Sequence, residues 1–92
     1  MKAEAAEVLA LRALEWLVGN DELFGIFQGA SGVTLDDLRR AAGDQDMLIS
    51  VLDFISMDDA WVISASESLK MDPTEFVRLR EALPGGGRPH WT

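Results

Sequence analysis

The apolar and polar positions between Asp46 and Ser56 predict the most deeply buried element of the chain. Seven of these eleven residues are apolar, and Asp46, Ser50 and Asp53 form only a thin polar line at near-helical spacing. A helix that is apolar around most of its circumference must be buried. The pattern therefore predicts that helix 46–56 forms the centre of the core.

Five further amphipathic helices are predicted from apolar periodicity, capping residues and glycine breakers. The clearest start signal is Asp72-Pro73-Thr74-Glu75, which supplies an N-cap, a proline at the first helical position and a carboxylate two residues later. Residues 29–32, Gly-Ala-Ser-Gly, are expected to form a turn. The other predicted helices span about residues 3–18, 21–28, 35–42, 59–69 and 73–83. The fold class is therefore all-α, a compact six-helix domain over residues 1–84 followed by a Gly/Pro-rich tail at 85–92.

The apolar positions also predict which faces turn inward. Gly25 and Gly29 lie four residues apart, so we expect another backbone to approach the second helix closely there. In the last helix Phe76, Val77 and Leu79 are expected inside, together with Leu83. In the first helix the expected apolar face comprises Ala5, Val8, Leu9, Leu11, Leu14, Trp16, Leu17 and Val18.

The chain aligns with itself, without a gap, at a constant offset of 38. This offset places Leu14 on Leu52 and Leu38 on Phe76, and it places helix caps on helix caps. Such a period is typical of helical repeats, in which one unit cannot bury its apolar face alone. The alignment predicts two equivalent three-helix units; the alternative is that short amphipathic helices align by chance.

Composition and charge narrow the classes of partner. Of the 92 residues 48% are apolar, and the net charge is -8. This charge repels phosphate backbones, so nucleic acid is not an expected partner. The acidic surface either attracts a basic protein or reflects only solubility and helix capping, because many carboxylates fall at predicted helix starts.

The ends and the apolar runs bear on location. Glu4 and Glu7 stand where a targeting peptide needs basic or apolar residues, and no uninterrupted apolar run approaches the length of a membrane span. The chain has no cysteine, which fits a reducing compartment. We therefore expect a cytoplasmic protein that does not enter membranes.

Residues that carry catalysis or bind metals are sparse. His90 is the single histidine and lies in the tail, so no histidine triad or histidine metal cluster can form within one chain. Asp44 and Asp46 resemble the opening of a calcium loop, but Ile49 and Ile55 stand where that loop needs Gly and Glu. Asp53 is either a buried carboxylate with a shifted pKa or part of the exposed edge of its helix. We expect no cofactor, no metal and no enzyme activity.

Aromatic residues offer the clearest binding hypothesis. Small helical domains often present such side chains in a groove for a partner helix, and filling of the core is the alternative role. This pattern favours an adaptor or regulatory protein, monomeric or homodimeric, that binds another protein; the alternative is a domain that binds a small molecule or lipid between its halves. The candidate partner-binding residues are Trp16, Phe24, Phe27, Trp61 and Trp91.

Several short motifs together resemble a known protein family. They are Leu35-Asp-Asp-Leu-Arg39, Ala42-Gly43-Asp44, Val51-Leu-Asp-Phe54 and Asp72-Pro73, with Ala-Leu-Glu-Trp-Leu at 13–17. They resemble a family of short bacterial proteins, mainly alpha-proteobacterial, that is catalogued as a domain of unknown function. The resemblance covers about residues 5–83. It implies a small helical cytoplasmic protein and supplies no substrate, cofactor or catalytic residue.

Overall fold

A computed structural model describes residues 2–41 and 44–83, without the side chain of Ala41. These residues form six helices and no strand, which confirms the all-α prediction. The predicted tail at 85–92, including Trp91, lies outside the described residues. The helices are α1 (Ala3–Val18), α2 (Asp21–Ser31), α3 (Leu35–Ala41), α4 (Gln45–Ile55), α5 (Asp59–Leu69) and α6 (Pro73–Ala82).

Polar caps start most of these helices where the sequence predicted them. The side chains of Asn20, Asp44, Asp58 and Asp72 each accept a hydrogen bond from a backbone N–H in the first turn that follows. Before α3 the cap is reciprocal: the Thr34 N–H donates to Asp37 Oδ2 at 2.9 Å, and the Asp37 N–H donates to Thr34 Oγ1 at 3.1 Å. Local sequence therefore determines where these helices begin.

Helix α2 is longer than predicted, and its glycines play a different role. It runs through the expected turn to Ser31, whose hydroxyl donates to the Phe27 carbonyl at 2.7 Å, and it ends at Gly32 with a φ of 74°. A left-handed glycine is a common helix terminator. The predicted close approach at Gly25 and Gly29 is wrong, since no atom lies within 4 Å of a Cβ built at either position.

Helix α4 lies at the centre of the core, as predicted. It packs against α1, α5 and α6, and Met47 at its start is half-buried. Its polar line faces outward: Ser50 is exposed, and half-buried Asp53 forms an ion pair with Arg80. Six of its apolar residues are buried, namely Leu48, Ile49, Val51, Leu52, Phe54 and Ile55.

Helix α1 buries most of the predicted face and, in addition, a stripe of alanines. Ala5 is exposed and Val8 is 58% exposed, whereas three other alanines are completely buried. Small side chains let two helix backbones approach closely, and α1 makes its most extensive contact with α4. Large apolar residues therefore identified only part of this face. Of the predicted residues, Leu9, Leu11, Leu14, Trp16, Leu17 and Val18 are buried or pack against the core. The buried residues of α1 are Ala6, Ala10, Ala13, Leu14 and Leu17.

The two predicted units agree in helix bounds but differ in packing. Both bounds of α5 match those of α2 at the offset of 38, and the start of α6 matches the start of α3 in the same way. However, α6 packs extensively against α1, α4 and α5, whereas the described part of α3 packs extensively against no other helix. Equivalence of the units in three dimensions therefore stays a prediction.

The helix lengths also bear on membranes. Among the described helices, none combines the length and the hydrophobicity that a membrane span requires.

Candidate functional site: surface grooves between helices

Among the described residues, an open and mainly apolar groove lies between the end of α1 and α3. Its volume is about 450 Å³. We call it the α1–α3 groove. It is lined by Leu14, Glu15, Val18, Gly19, Leu35, Leu38 and Arg39.

The sequence of α3 explains why this groove stays open. The helix has only seven residues, and Leu38 is its one buried residue among the described side chains. Leu35 is 37% exposed, and the intervening positions are charged. A helix with a single apolar anchor cannot cover the wall that Leu14 and Val18 present on α1.

The aligned positions in the second predicted unit carry a larger anchor. The offset of 38 places Leu38, which is 2% exposed, on Phe76, which is 1% exposed. Helix α6 is further tied to α4 because Arg80 Nε lies 2.6 Å from Asp53 Oδ1. Helix α6 therefore has an aromatic anchor and an ion pair where α3 has a leucine.

The rim of the α1–α3 groove carries charges of both signs. Glu15 and Arg39 line it together. Arg39 Nη1 lies 3.9 Å from Asp36 Oδ1, with both side chains 72% exposed, so this pair contributes little. The groove is therefore lined mainly by apolar side chains.

A second open groove lies between α5 and α6 and has a volume of about 350 Å³. Ile63 and Val77 line it and are 49% and 51% exposed. The prediction that Val77 is inside is wrong, because α6 buries the stripe of Phe76, Leu79 and Leu83, and Val77 lies beside that stripe. We call this the α5–α6 groove. It is lined by Ser56, Asp59, Val62, Ile63, Pro73, Thr74 and Val77.

The predicted aromatic residues come together only in part. Phe54 meets the edge of Phe27 at a ring distance of 5.1 Å and stacks on half-buried Trp61 at 5.0 Å. Phe27 and Phe54 line a third groove of about 320 Å³, where Met57 is 79% exposed. This cluster joins α2, α4 and α5 in the core, and its rings are mostly buried.

The other predicted aromatic residues lie outside this cluster of Phe27, Phe54 and Trp61. Trp16 and Phe24 are half-buried and pack against the core, and Trp91 lies outside the described residues. A partner-binding role for the aromatic residues stays a prediction. Sequence reasoning missed Leu35, Ile63 and Val77, whose exposure follows from their position beside the buried stripes.

Two carboxyl groups in the described residues have clearly lowered pKa values. The pKa of Asp37 is lowered mainly by the hydrogen bond from the Thr34 backbone N–H, and the pKa of Asp72 mainly by the Thr74 hydroxyl. Both acids cap helices, so structure explains both shifts. Residues 2–41 and 44–83 also contain no group of three or more His, Cys, Asp or Glu side chains that could hold a metal ion.

Comparisons with known proteins identify the family of the chain. No curated protein and no solved structure matches it. The family comparison confirms the resemblance seen in the sequence motifs, while the alpha-proteobacterial association stays an expectation. Residues 3–86 match the family described as "Protein of unknown function (DUF3572)", and the chain belongs to that family.

Proposed function

We propose that this domain is a non-catalytic adaptor or regulatory module that binds another protein through the α1–α3 groove. The observation that carries the proposal is the groove itself, an open and mainly apolar surface of about 450 Å³. Leu14, Val18 and Leu35 line it, and Leu35 is 37% exposed.

The chemistry of the groove indicates what it binds. Its walls are leucine and valine side chains, and its rim charges are of opposite sign, so an apolar anchor is favoured over a charged one. Burying one Phe-sized or Leu-sized side chain contributes about 1.5–3 kcal/mol. A few such anchors typically supply most of the free energy of a protein interface. The proposed ligand is therefore a peptide segment with a Phe, Trp or Leu anchor.

Binding of a small molecule or lipid is the second candidate function. The groove volume of about 450 Å³ lies within the range of ligand pockets. Such pockets usually enclose most of their ligand, however, whereas this groove is open along one side. The open shape favours a protein segment.

The proposal includes a cytoplasmic location and excludes nucleic acid as the partner. A net charge of -8 opposes phosphate contacts, and a binder needs several uncompensated ones. The proposed oligomeric state is a monomer or a homodimer.

A selection with a peptide library tests the proposed site. Phage-displayed random peptides are selected on the full chain, and the dissociation constants of synthetic hits are measured by fluorescence anisotropy. We expect a Phe, Trp or Leu anchor in the hits. We expect Leu35→Glu, on the groove rim, and Leu38→Phe, which enlarges a side chain that lines the groove, to weaken binding at least about tenfold.

The matched control is Val8→Glu, which adds the same charge at an exposed valine that lines none of the described grooves. It should change the affinity less than about twofold. Circular dichroism verifies the fold of each variant. Hits that bind Leu35→Glu and Leu38→Phe as tightly as the unaltered chain would refute the site, and laurate binding that the same two variants abolish, without peptide hits, would favour the lipid-binding alternative.

A further inference from the structure

The α5–α6 groove is an apolar surface that the α1–α3 groove does not explain. Ile63 and Val77, each about half exposed, lie on adjacent helices and line the same groove beside Val62. Isolated exposed aliphatic residues are normal, but two of them on one groove form a continuous apolar contact surface.

The charges around this groove are predominantly negative. Asp59 lines the groove itself. Along α5, Ile63 lies one helical turn from both Asp59 and Glu67. The apolar residues are therefore bordered by carboxylates on α5.

Few basic side chains offset these carboxylates. Residues 41–69 contain no Lys or Arg, and Lys70 follows the far end of α5. On α6, Arg80 forms the ion pair with Asp53, and Arg78 lies with Glu75 and Glu81 in a different groove. The rim of the α5–α6 groove therefore differs from the mixed rim of the α1–α3 groove.

We infer that the α5–α6 groove binds a positively charged amphipathic helix of another protein. The apolar face of that helix packs on Ile63 and Val77, and its Lys or Arg side chains lie against Asp59 and Glu67. Charge complementarity of this kind selects partners and accelerates association. A second copy of the chain does not fit, because it would bring the same carboxylates together in a molecule of net charge -8.

A pair of designed peptides tests the charge of the partner. Both form amphipathic helices with leucines at the same positions; one carries lysine and the other glutamate on the polar face. Anisotropy titrations with the full chain should give at least about tenfold tighter binding of the Leu/Lys peptide, and this preference should diminish at about 0.5 M salt. Amide NMR shifts on binding should cluster at residues 59–63 and 73–77.

Two double variants with matched controls test the groove. Ile63→Ser with Val77→Ser should weaken binding of the Leu/Lys peptide about tenfold, whereas Val8→Ser with Ile26→Ser should change it less than about twofold. Val8 and Ile26 are comparably exposed, at 58% and 45%, so the controls remove the same side chains elsewhere.

A second pair of double variants tests the carboxylates. Asp59→Asn with Glu67→Gln should weaken binding about threefold or more and reduce its salt dependence, and Asp21→Asn with Glu22→Gln should do neither. Asp21 stands in the first turn of α2 where Asp59 stands in α5.

Three results would overturn the inference. One is equal weakening by the groove and control variants, which would indicate general attraction to an acidic protein. Another is equal affinity for the Leu/Glu peptide. The third is a dimer, seen by analytical ultracentrifugation, that Ile63→Ser with Val77→Ser dissociates, because the occupant would then be a second copy.

Discussion

The first predicted unit (residues 3–41) and the second (residues 45–83) have similar helix order, but their last helices pack differently. Helix α3 has seven residues and one buried anchor, Leu38, whereas α6 has ten residues and buries Phe76 and Leu79. An ion pair between Arg80 and Asp53 adds a second tie in the later unit. The packing of the last helix therefore depends on a few side chains and not only on the presence of the helix.

The two grooves differ in charge more than the two units do. Residues 45–83 contain eight Asp or Glu and three Lys or Arg, and residues 3–41 contain seven and three. The apolar groove of the first unit has a mixed rim, and that of the second unit has an acidic one. Similar helical frameworks thus present surfaces that suit different partners.

The largest expected effect comes from placing a charge at the equivalent positions Leu52 and Leu14. Leu52→Asp puts an unpaired carboxylate in the densest part of the core and should cost more than about 4 kcal/mol, which approaches the whole stability of such a domain. Leu14→Asp should cost about half as much, because Leu14 lines the open groove and water can reach the carboxylate. Urea unfolding followed by circular dichroism measures both, and equal losses would show that the groove is closed in solution.

The next largest effect is expected from truncating the buried anchors of α6 and α3, which are Phe76 and Leu38. Phe76→Ala should lower the free energy of unfolding by about 3–5 kcal/mol, since it leaves a cavity between packed helices. Leu38→Ala should cost only about 2 kcal/mol, because its surroundings are already partly open. Midpoints of denaturant unfolding test this order, provided that the slope of the unfolding free energy against denaturant is the same for both variants. A larger loss of stability for Leu38→Ala than for Phe76→Ala would contradict the comparison.

The smallest effect concerns two acids that cap helices: Asp37 in the first turn of α3 and Asp72 just before α6. The pKa values of Asp37 and Asp72 are lowered below their ordinary value of 3.8, so the folded state binds fewer protons than the unfolded state in that range. Their contribution to the free energy of unfolding is complete above about pH 4 and is lost as the pH falls through the lowered pKa values. Melting temperatures between about pH 2 and 5 should therefore fall as the pH is lowered.

Asn in place of Asp37 and Asp72 supplies the control for this titration. Asn caps helices without titrating, so the doubly substituted chain should lose less stability over the same pH range. An identical pH dependence in both chains would mean that other carboxylates account for the acid sensitivity.

Most of the fold was predictable because it depends on local signals. Apolar periodicity placed α4 in the core, and the caps at Asn20, Asp58 and Asp72 placed three helix starts correctly. The end of α2 was wrong because glycines within a helix resemble a turn in the sequence. Gly29 remains helical, and the helix ends only before Gly32, which adopts a positive φ.

The exposure of individual side chains was less predictable than the positions of the helices. Val77 and Ala5 were placed inside by hydrophobicity, but burial depends on which stripe meets a neighbouring helix. No pattern in the sequence predicted that Phe27 and Trp61 pack on Phe54.

The helices, most of their caps and the central place of α4 follow from the amino-acid sequence, because capping and periodicity act between residues a few positions apart. How tightly each helix packs became visible in the folded chain. That packing depends on the burial of Leu38 and Phe76 and on the contact of Arg80 on α6 with Asp53 on α4. Packing between side chains that are far apart in the chain is not specified by any local pattern, so the grooves became visible only in the folded chain.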